Sequence, residues 1–150
     1  MRHEMEKEKR PDSDSEIQEA LCGVRPEEHV LVGLDFERDV KPLIEDYAAF
    51  EVRVFSGDSP EDVAAQLRKF IGGRGLRPKT DIVYRLQCRP DCGLTIGELN
   101  FMDALIFERD DIESVRWAGS LNGHQEEMVR LTVLLSSHVR VREQYLAKLI

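Results

Sequence analysis

Hydrophobic and polar residues along Asp81–Ser137 follow an order that predicts a strand, a helix and two further strands. Apolar residues occupy every second position of Ile82–Cys88, which is the period of a strand with one face on a core and one face in water. Thr95 and Glu98 match a capping box, in which a hydroxyl and a carboxylate satisfy free backbone N–H groups at a helix start. We therefore expect a helix that begins near Ile96.

The same two periodicities divide the rest of the chain. Ser59, Pro60 and the acids Glu61 and Asp62 mark a helix start, because serine caps a helix, proline fits its first turn and acids favour its dipole. Gly72–Gly75 is expected to end that helix. The other predicted elements are a short helix at Glu16–Cys22, a buried strand at Val30–Leu34, a turn at Asp35–Asp39, a helix from Asp39 to Phe50, a strand around Val52–Phe55, antiparallel neighbouring strands at Ile112–Ala118 and Met128–Ser136, and a C-terminal helix over Val141–Leu149.

This order of elements predicts an α/β (α+β) fold in one domain. We expect a mixed sheet of about four to five strands with three to four helices, and a β-α-β-β unit of ferredoxin-like or related topology in the second half. Residues 1–15 alternate in charge without apolar periodicity, which predicts a flexible charged tail ahead of a domain at 16–150. A domain of this size can fold without disulfides or a metal.

The charge and the cysteine content limit which partners and which cellular compartment we expect for this chain. The chain has 29 acidic and 21 basic residues and a net charge of -8, so this acidic protein repels nucleic acids and anionic membranes. It contains neither a signal-peptide pattern nor an apolar run near the roughly 18 residues of a membrane span. Its three cysteines cannot all pair within one chain, which favours a cytoplasmic location.

Two cysteines, Cys88 and Cys92, have a spacing that zinc loops permit. A second pair of ligands is missing, and Cys22, His124 and His138 could supply it only if they converged in space. Because Cys88 also falls on the apolar face of its predicted strand, we favour buried or free thiols and expect neither a metal nor another cofactor.

The acidic turn at Asp35–Asp39 is the strongest candidate for chemistry. Carboxylates of Asp35 and Asp39 directly after a strand could orient water, bind a cation or contact a basic partner, although acids at a helix start also simply favour its dipole. Trp117, the only tryptophan, is expected in the core or in an interface. His124 follows Asn122 and Gly123 in a predicted loop, where a solvated histidine is the default.

Several segments occur in an order that resembles the C-terminal subdomain of FtsZ, the prokaryotic tubulin homologue. The strand Ile82-Val-Tyr-Arg-Leu86 and the segment Leu94-Thr-Ile-Gly-Glu-Leu-Asn100 resemble a family strand followed by Leu-Thr-x-x-Glu-Val-Asn. Leu34-Asp-Phe-Glu-Arg-Asp-Val40 is similar to the Asp-Phe-Ala-Asp-Val turn of the family, the synergy loop. The later strands Ser114–Gly119 and Glu126–Leu135 also match in order, so the resemblance spans roughly Val30 to Ser137.

The chain departs from this family at points that affect function. Gly33 stands where the family has asparagine, and one residue is inserted between Asp35 and Asp39. The nucleotide-binding domain of the family, with its glycine-rich signature, has no counterpart among these residues. The resemblance therefore implies no GTPase activity of this chain alone, and Asp35 and Asp39 could at most act on nucleotide held by a neighbouring subunit.

Three functional hypotheses remain open. The first is a non-enzymatic protein-interaction or regulatory module, whose partner is another protein such as a tubulin-like GTPase or a second copy of the chain, with Asp35, Asp39 and Trp117 as candidate interaction residues. The second is a small regulatory domain that binds a metabolite at its strand ends. The third is a metal-dependent enzyme that uses Asp35, Asp39 and His124, which no specific motif supports.

Overall fold

The computed structural model describes residues 13–45, 49–74, 80–92 and 112–137 of the chain. Its regular helices and strands are α1 (Asp14–Cys22), β1 (His29–Val32), β2 (Ala49–Gly57), α2 (Pro60–Arg74), β3 (Thr80–Cys88), β4 (Ile112–Leu121) and β5 (Val129–Ser137). Short helical turns lie at Phe36–Val40, Lys41–Leu43 and Pro90–Cys92. These elements form an α+β domain around one five-stranded mixed sheet, which confirms the predicted fold class.

The strand order of the sheet is β1-β4-β3-β5-β2, with β3 at its centre. β4 runs parallel to β3, whereas β5 runs antiparallel to β3 on its other side. The prediction that β4 and β5 are antiparallel neighbours is therefore wrong, because β3 separates them. Alternation of apolar residues locates each strand but does not encode which strands pair.

Two hydrophobic cores cover the two faces of the sheet. The α2-side core joins Val63, Leu67 and Ile71 of α2 to apolar residues of β3 and β5. The α1-side core joins Ile17, Leu21, Phe36, Val40, Ile44, Val52, Val83 and Leu134. β3 is consequently buried on both faces, and the expected wet face of this strand is wrong: Val83 is 0% exposed.

Both described helices begin with a side-chain cap. Ser13 and Glu16 form a capping box that starts α1 at Asp14, two residues before the predicted start. At α2 the Ser59 hydroxyl accepts a hydrogen bond from the Asp62 N–H at 3.1 Å, and Pro60 is the first helical residue, as predicted. The helix end also agrees with the prediction, because the last residue of α2 is residue 74, within the predicted Gly72–Gly75.

Two predictions for the first half of the chain are wrong. The helix expected from Asp39 to Phe50 is replaced by two short turns, and β2 already begins at Ala49. The apolar residues at helical spacing serve these turns instead, because Val40 and Ile44 are buried in the α1-side core. The strand expected to be buried, β1, lies at the edge of the sheet and is exposed or half-buried throughout.

Some predictions lie outside the described residues. These are the helix that begins near residue 96, the C-terminal helix at 141–149 and most of the charged tail, residues 1–12. Across the ranges that the structure does describe, none of the helices combines the length and apolar character that a membrane crossing requires.

Candidate functional site

The acidic turn, which the sequence offers as a candidate for chemistry, makes structural contacts in the fold. The Asp35 carboxylate accepts hydrogen bonds from the backbone N–H groups of Glu37 at 3.0 Å and Arg38 at 3.3 Å. It thereby caps the helical turn that begins at Phe36. This carboxylate holds the chain that follows strand β1 in place.

Asp39 is buried, and its carboxylate is fully engaged within the chain. It accepts hydrogen bonds from the Asp35 N–H at 2.9 Å, from Arg38 Nε and Nη2 at 3.1 Å, and from Arg116 Nη1 at 3.0 Å. The hydrogen bond from Arg38 lowers the pKa of Asp39, and although burial acts against it, the bonds from Asp35 and Arg116 help to keep that pKa low. Asp39 therefore ties the turn to β4.

Three further residues considered for metal or thiol chemistry, Cys88, Cys92 and His124, lie near the C-terminal ends of β3 and β4. Cys88 is buried in the α2-side core and Cys92 packs against it, and no disulfide links the three cysteines. His124 lies beyond the end of β4, where its backbone N–H donates to Asn122 Oδ1 at 2.9 Å. Within the described part of the chain, no three His, Cys, Asp or Glu residues form a group that could hold a metal ion.

Trp117 lies in β4 opposite Tyr84 of β3. Its side chain is half-buried against the α2-side core, and on the opposite face of the same strand Arg116 reaches Asp39. Trp117 and the acidic turn are therefore on different faces of the sheet. A role for Trp117 in an interface stays a prediction.

A buried ion pair between Arg85 and Glu28 is the main polar feature that sequence reasoning missed. Arg85 Nη2 donates to Glu28 Oε2 at 2.8 Å, and the two side chains are 5% and 0% exposed. Gln87 and Ser120 also donate to Glu28 Oε2, and the backbone N–H of Arg25 donates to Oε1 at 3.2 Å. Every oxygen of this buried carboxylate is therefore satisfied.

Opposing effects act on the pKa of Glu28. Burial raises that pKa, but the hydrogen bonds from Ser120 and from the Arg25 backbone, together with the charge of Arg85, outweigh burial and hold it below its ordinary value. The carboxylate is therefore charged at neutral pH, as an ion pair with Arg85 requires.

Arg85 also closes the C-terminal end of α1. Its guanidinium donates to the backbone oxygens of Glu19 at 3.5 Å, of Ala20 at 3.3 Å and of Gly23. A cation at this end compensates the unpaired carbonyl groups and the dipole of the helix. The pair thus fixes α1 onto the centre of the sheet.

A polar cleft of about 510 Å³ lies next to this ion pair, at the C-terminal ends of the parallel strands β3 and β4. Charged and amide side chains line it, among them Glu19, Arg25, Gln87, His124, Glu127 and Arg130. Asp35 and Asp39 are not part of this lining, so the cleft and the acidic turn are separate places in the fold.

An apolar surface lies at the β1 edge of the sheet. Val24 is 60% exposed and Val30 is 39% exposed, and both line a groove of about 50 Å³ together with Val32 and Leu34. We call this surface, made of these four residues, the Val24–Val30 patch. Among the described residues the only other large exposed hydrophobic side chain is that of Val54 in β2.

The comparison with solved structures confirms a partial FtsZ-like resemblance at the level of the fold. The protein is similar to one chain of an empty FtsZ dimer from M. jannaschii, with a TM-score of 0.54 and 19% sequence identity. The match covers 73% of this chain and 32% of the FtsZ chain, so this chain spans about a third of the protein it matches. No family model matches the sequence, and no curated protein matches it.

Proposed function

We propose that this chain is a non-enzymatic protein-interaction module of the cytoplasm that binds a tubulin-like GTPase. The observation that carries the proposal is the partial likeness to FtsZ, which covers 32% of the FtsZ chain. A module that shares the fold of a subunit within a filament-forming family is suited to contact members of that family.

The engagement of the acidic turn supports a binding role rather than a catalytic one. Asp39 is held by Arg38 and Arg116, and Asp35 caps a helical turn. Carboxylates that already accept several hydrogen bonds, and that neighbour two guanidinium groups, are poor ligands for a metal or for nucleotide-activating water. We therefore do not assign the partner's nucleotide chemistry to this turn.

The Val24–Val30 patch is the surface that we assign to the partner. Val30 is exposed within the short edge strand β1 and Val24 is exposed ahead of it, and exposed aliphatic side chains around a groove are typical of protein contacts. Burial of these two side chains by a partner would contribute favourable free energy that the isolated chain lacks.

The test has two stages. The tagged chain is first used to capture proteins from its native cytoplasm, and the recovered proteins are identified by mass spectrometry. The affinity of the purified GTPase is then measured for the wild type, for Val30→Lys and for Ala65→Lys, which places the same charge on the exposed side of α2. We expect Val30→Lys to weaken binding by about tenfold or more and Ala65→Lys to leave it unchanged. Absence of a tubulin-like GTPase, or equal effects of both variants, contradicts the proposal.

The polar cleft favours a second candidate function, the binding of a small polar metabolite. Its volume of about 510 Å³ lies within the range of ligand sites, and its place at the C-terminal ends of parallel strands is the usual one in α/β folds. A thermal-shift screen with polar metabolites tests this function. A ligand that raises the melting temperature of the wild type but not of Gln87→Leu would support it, and a screen without any shift would contradict it.

A further inference from the structure

The edge strand β2 differs from the edge strand β1 in a way that matters for assembly. β2 pairs with β5 over all nine residues from Ala49 to Gly57 without a register shift, and none of the described strands pairs with its outer side. β1 has four residues and a shift between Val30 and Val32. A long straight edge presents a row of backbone N–H and C=O groups to an additional strand, whereas a short irregular edge does not.

The sequence of β2 is complementary to itself around Val52. If two copies of β2 pair in antiparallel orientation with Val52 opposite Val52, then Glu51 lies opposite Arg53 and Phe50 lies opposite Val54. Opposite charges and apolar pairs directly across two strands are stabilising. Centring the pairing on Glu51 or on Arg53 would instead place like charges opposite each other, which disfavours those registers.

The side chains of β2 are already arranged for this contact. Arg53 forms an ion pair with Glu51 on the same strand, and its guanidinium carbon lies 4.9 Å from the centre of the Phe70 ring. On the other face, Val54 is 38% exposed and Phe50 is half-buried against the α1-side core. A second copy in the Val52-centred register would cover Val54 with Phe50, which extends the apolar face of each sheet.

We propose that the chain forms a two-fold symmetric homodimer by antiparallel pairing of β2 with β2 of a second copy, in the register centred on Val52. The described strands of both copies then form one continuous sheet. A symmetric interface of this kind closes on itself, so that it yields a dimer rather than a filament. The contact lies at the edge opposite to the Val24–Val30 patch, so it does not depend on the GTPase partner proposed above.

The test is sedimentation velocity of the full chain over a wide range of concentrations. We expect the wild type to show a concentration-dependent equilibrium between monomer and dimer. Val54→Lys should raise the dimer dissociation constant by roughly tenfold or more, because a lysine on an edge strand blocks strand pairing. His29→Lys, which places the same charge on β1, is the matched control and should leave the dissociation constant unchanged.

A charge exchange tests the register itself. Arg53→Glu alone places a glutamate opposite each Glu51 and should also weaken the dimer, whereas the double variant Glu51→Arg with Arg53→Glu restores opposite charges and should restore the dimer. Circular dichroism of dilute samples establishes that each variant is folded. A wild type that stays monomeric at every concentration, or a dimer weakened by His29→Lys and not by Val54→Lys, would overturn the proposal. Loss of the dimer without recovery in the double variant would overturn the Val52-centred register.

Discussion

Removal of one partner from the buried Arg85–Glu28 pair is the perturbation with the largest predicted effect on stability. Glu28→Gln leaves the guanidinium of Arg85, which is 5% exposed, without its counter-ion. An ion pair that is shielded from solvent belongs to the class in which loss of one partner costs about 3–5 kcal/mol. Because domains of this size are stable by about 5–15 kcal/mol, this variant should lose a large part of its free energy of unfolding.

The chain provides a matched control for burial. Arg130 and Glu127 form an ion pair at 2.9 Å, close to the 2.8 Å of Arg85 and Glu28, but their side chains are 42% and 30% exposed. Solvent screens such a pair, so Glu127→Gln should cost less than about 1 kcal/mol. Urea unfolding followed by circular dichroism measures both variants under the same conditions.

A double-mutant cycle separates the pair from its other contacts. Arg85→Met removes the cation together with its hydrogen bonds to the C-terminal carbonyls of α1, and Glu28→Gln removes the carboxylate charge. We expect the double variant to cost about 1–3 kcal/mol less than the sum of the single variants, as coupled residues do. The reasoning is refuted if the two single effects add, or if Glu28→Gln costs no more than Glu127→Gln.

Three further predictions concern three carboxylates and one thiol. Asp39→Ala should lower the free energy of unfolding by about 1–3 kcal/mol because it removes the hydrogen bonds that a buried carboxylate accepts from Asp35, Arg38 and Arg116. Asp35→Ala should lower it by about 1 kcal/mol because it removes a helix cap, and equal costs in urea titrations would contradict this ranking. The pKa values of Glu28 and Asp39 are lower in the folded chain than in the unfolded chain. The stability that these carboxylates give the folded chain is therefore complete above their unfolded pKa values of about 4, and it is lost as the pH falls towards their folded pKa values. The melting temperature should therefore fall less steeply with decreasing pH for Glu28→Gln than for the wild type. Burial raises the pKa of Cys22 to about 11, so its alkylation by iodoacetamide near neutral pH should be on the order of 100-fold slower in the folded than in the unfolded chain, as measured by mass spectrometry.

Local sequence signals predicted those parts of the fold that depend on nearby residues. The cap at Ser59 and Pro60 located the start of α2, and alternation located β3 and β5 to within about two residues. The capping box of Ser13 and Glu16 carries the same signal as the pattern at Thr95, and a systematic scan for it would have placed the start of α1 correctly.

Non-local contacts could not be predicted in the same way. Glu28 and Arg85 are 57 residues apart, and nothing in the sequence near either residue indicates that they meet. This contact also explains the wrong expectation for β3, because a polar residue in an alternating strand need not face water when a buried partner satisfies it. Likewise Arg116 reaches Asp39 across 77 residues, and the residues around the acidic turn do not indicate this contact.

The affinity of a tubulin-like GTPase, captured with the tagged chain from a cell extract, for variants of the Val24–Val30 patch tests the central proposal most directly. We predict that the purified GTPase binds the wild type and Ala65→Lys equally and binds Val30→Lys about tenfold more weakly or worse. A capture experiment that recovers no such GTPase, or an affinity that Val30→Lys leaves unchanged, would contradict the proposed role of this chain as an interaction module.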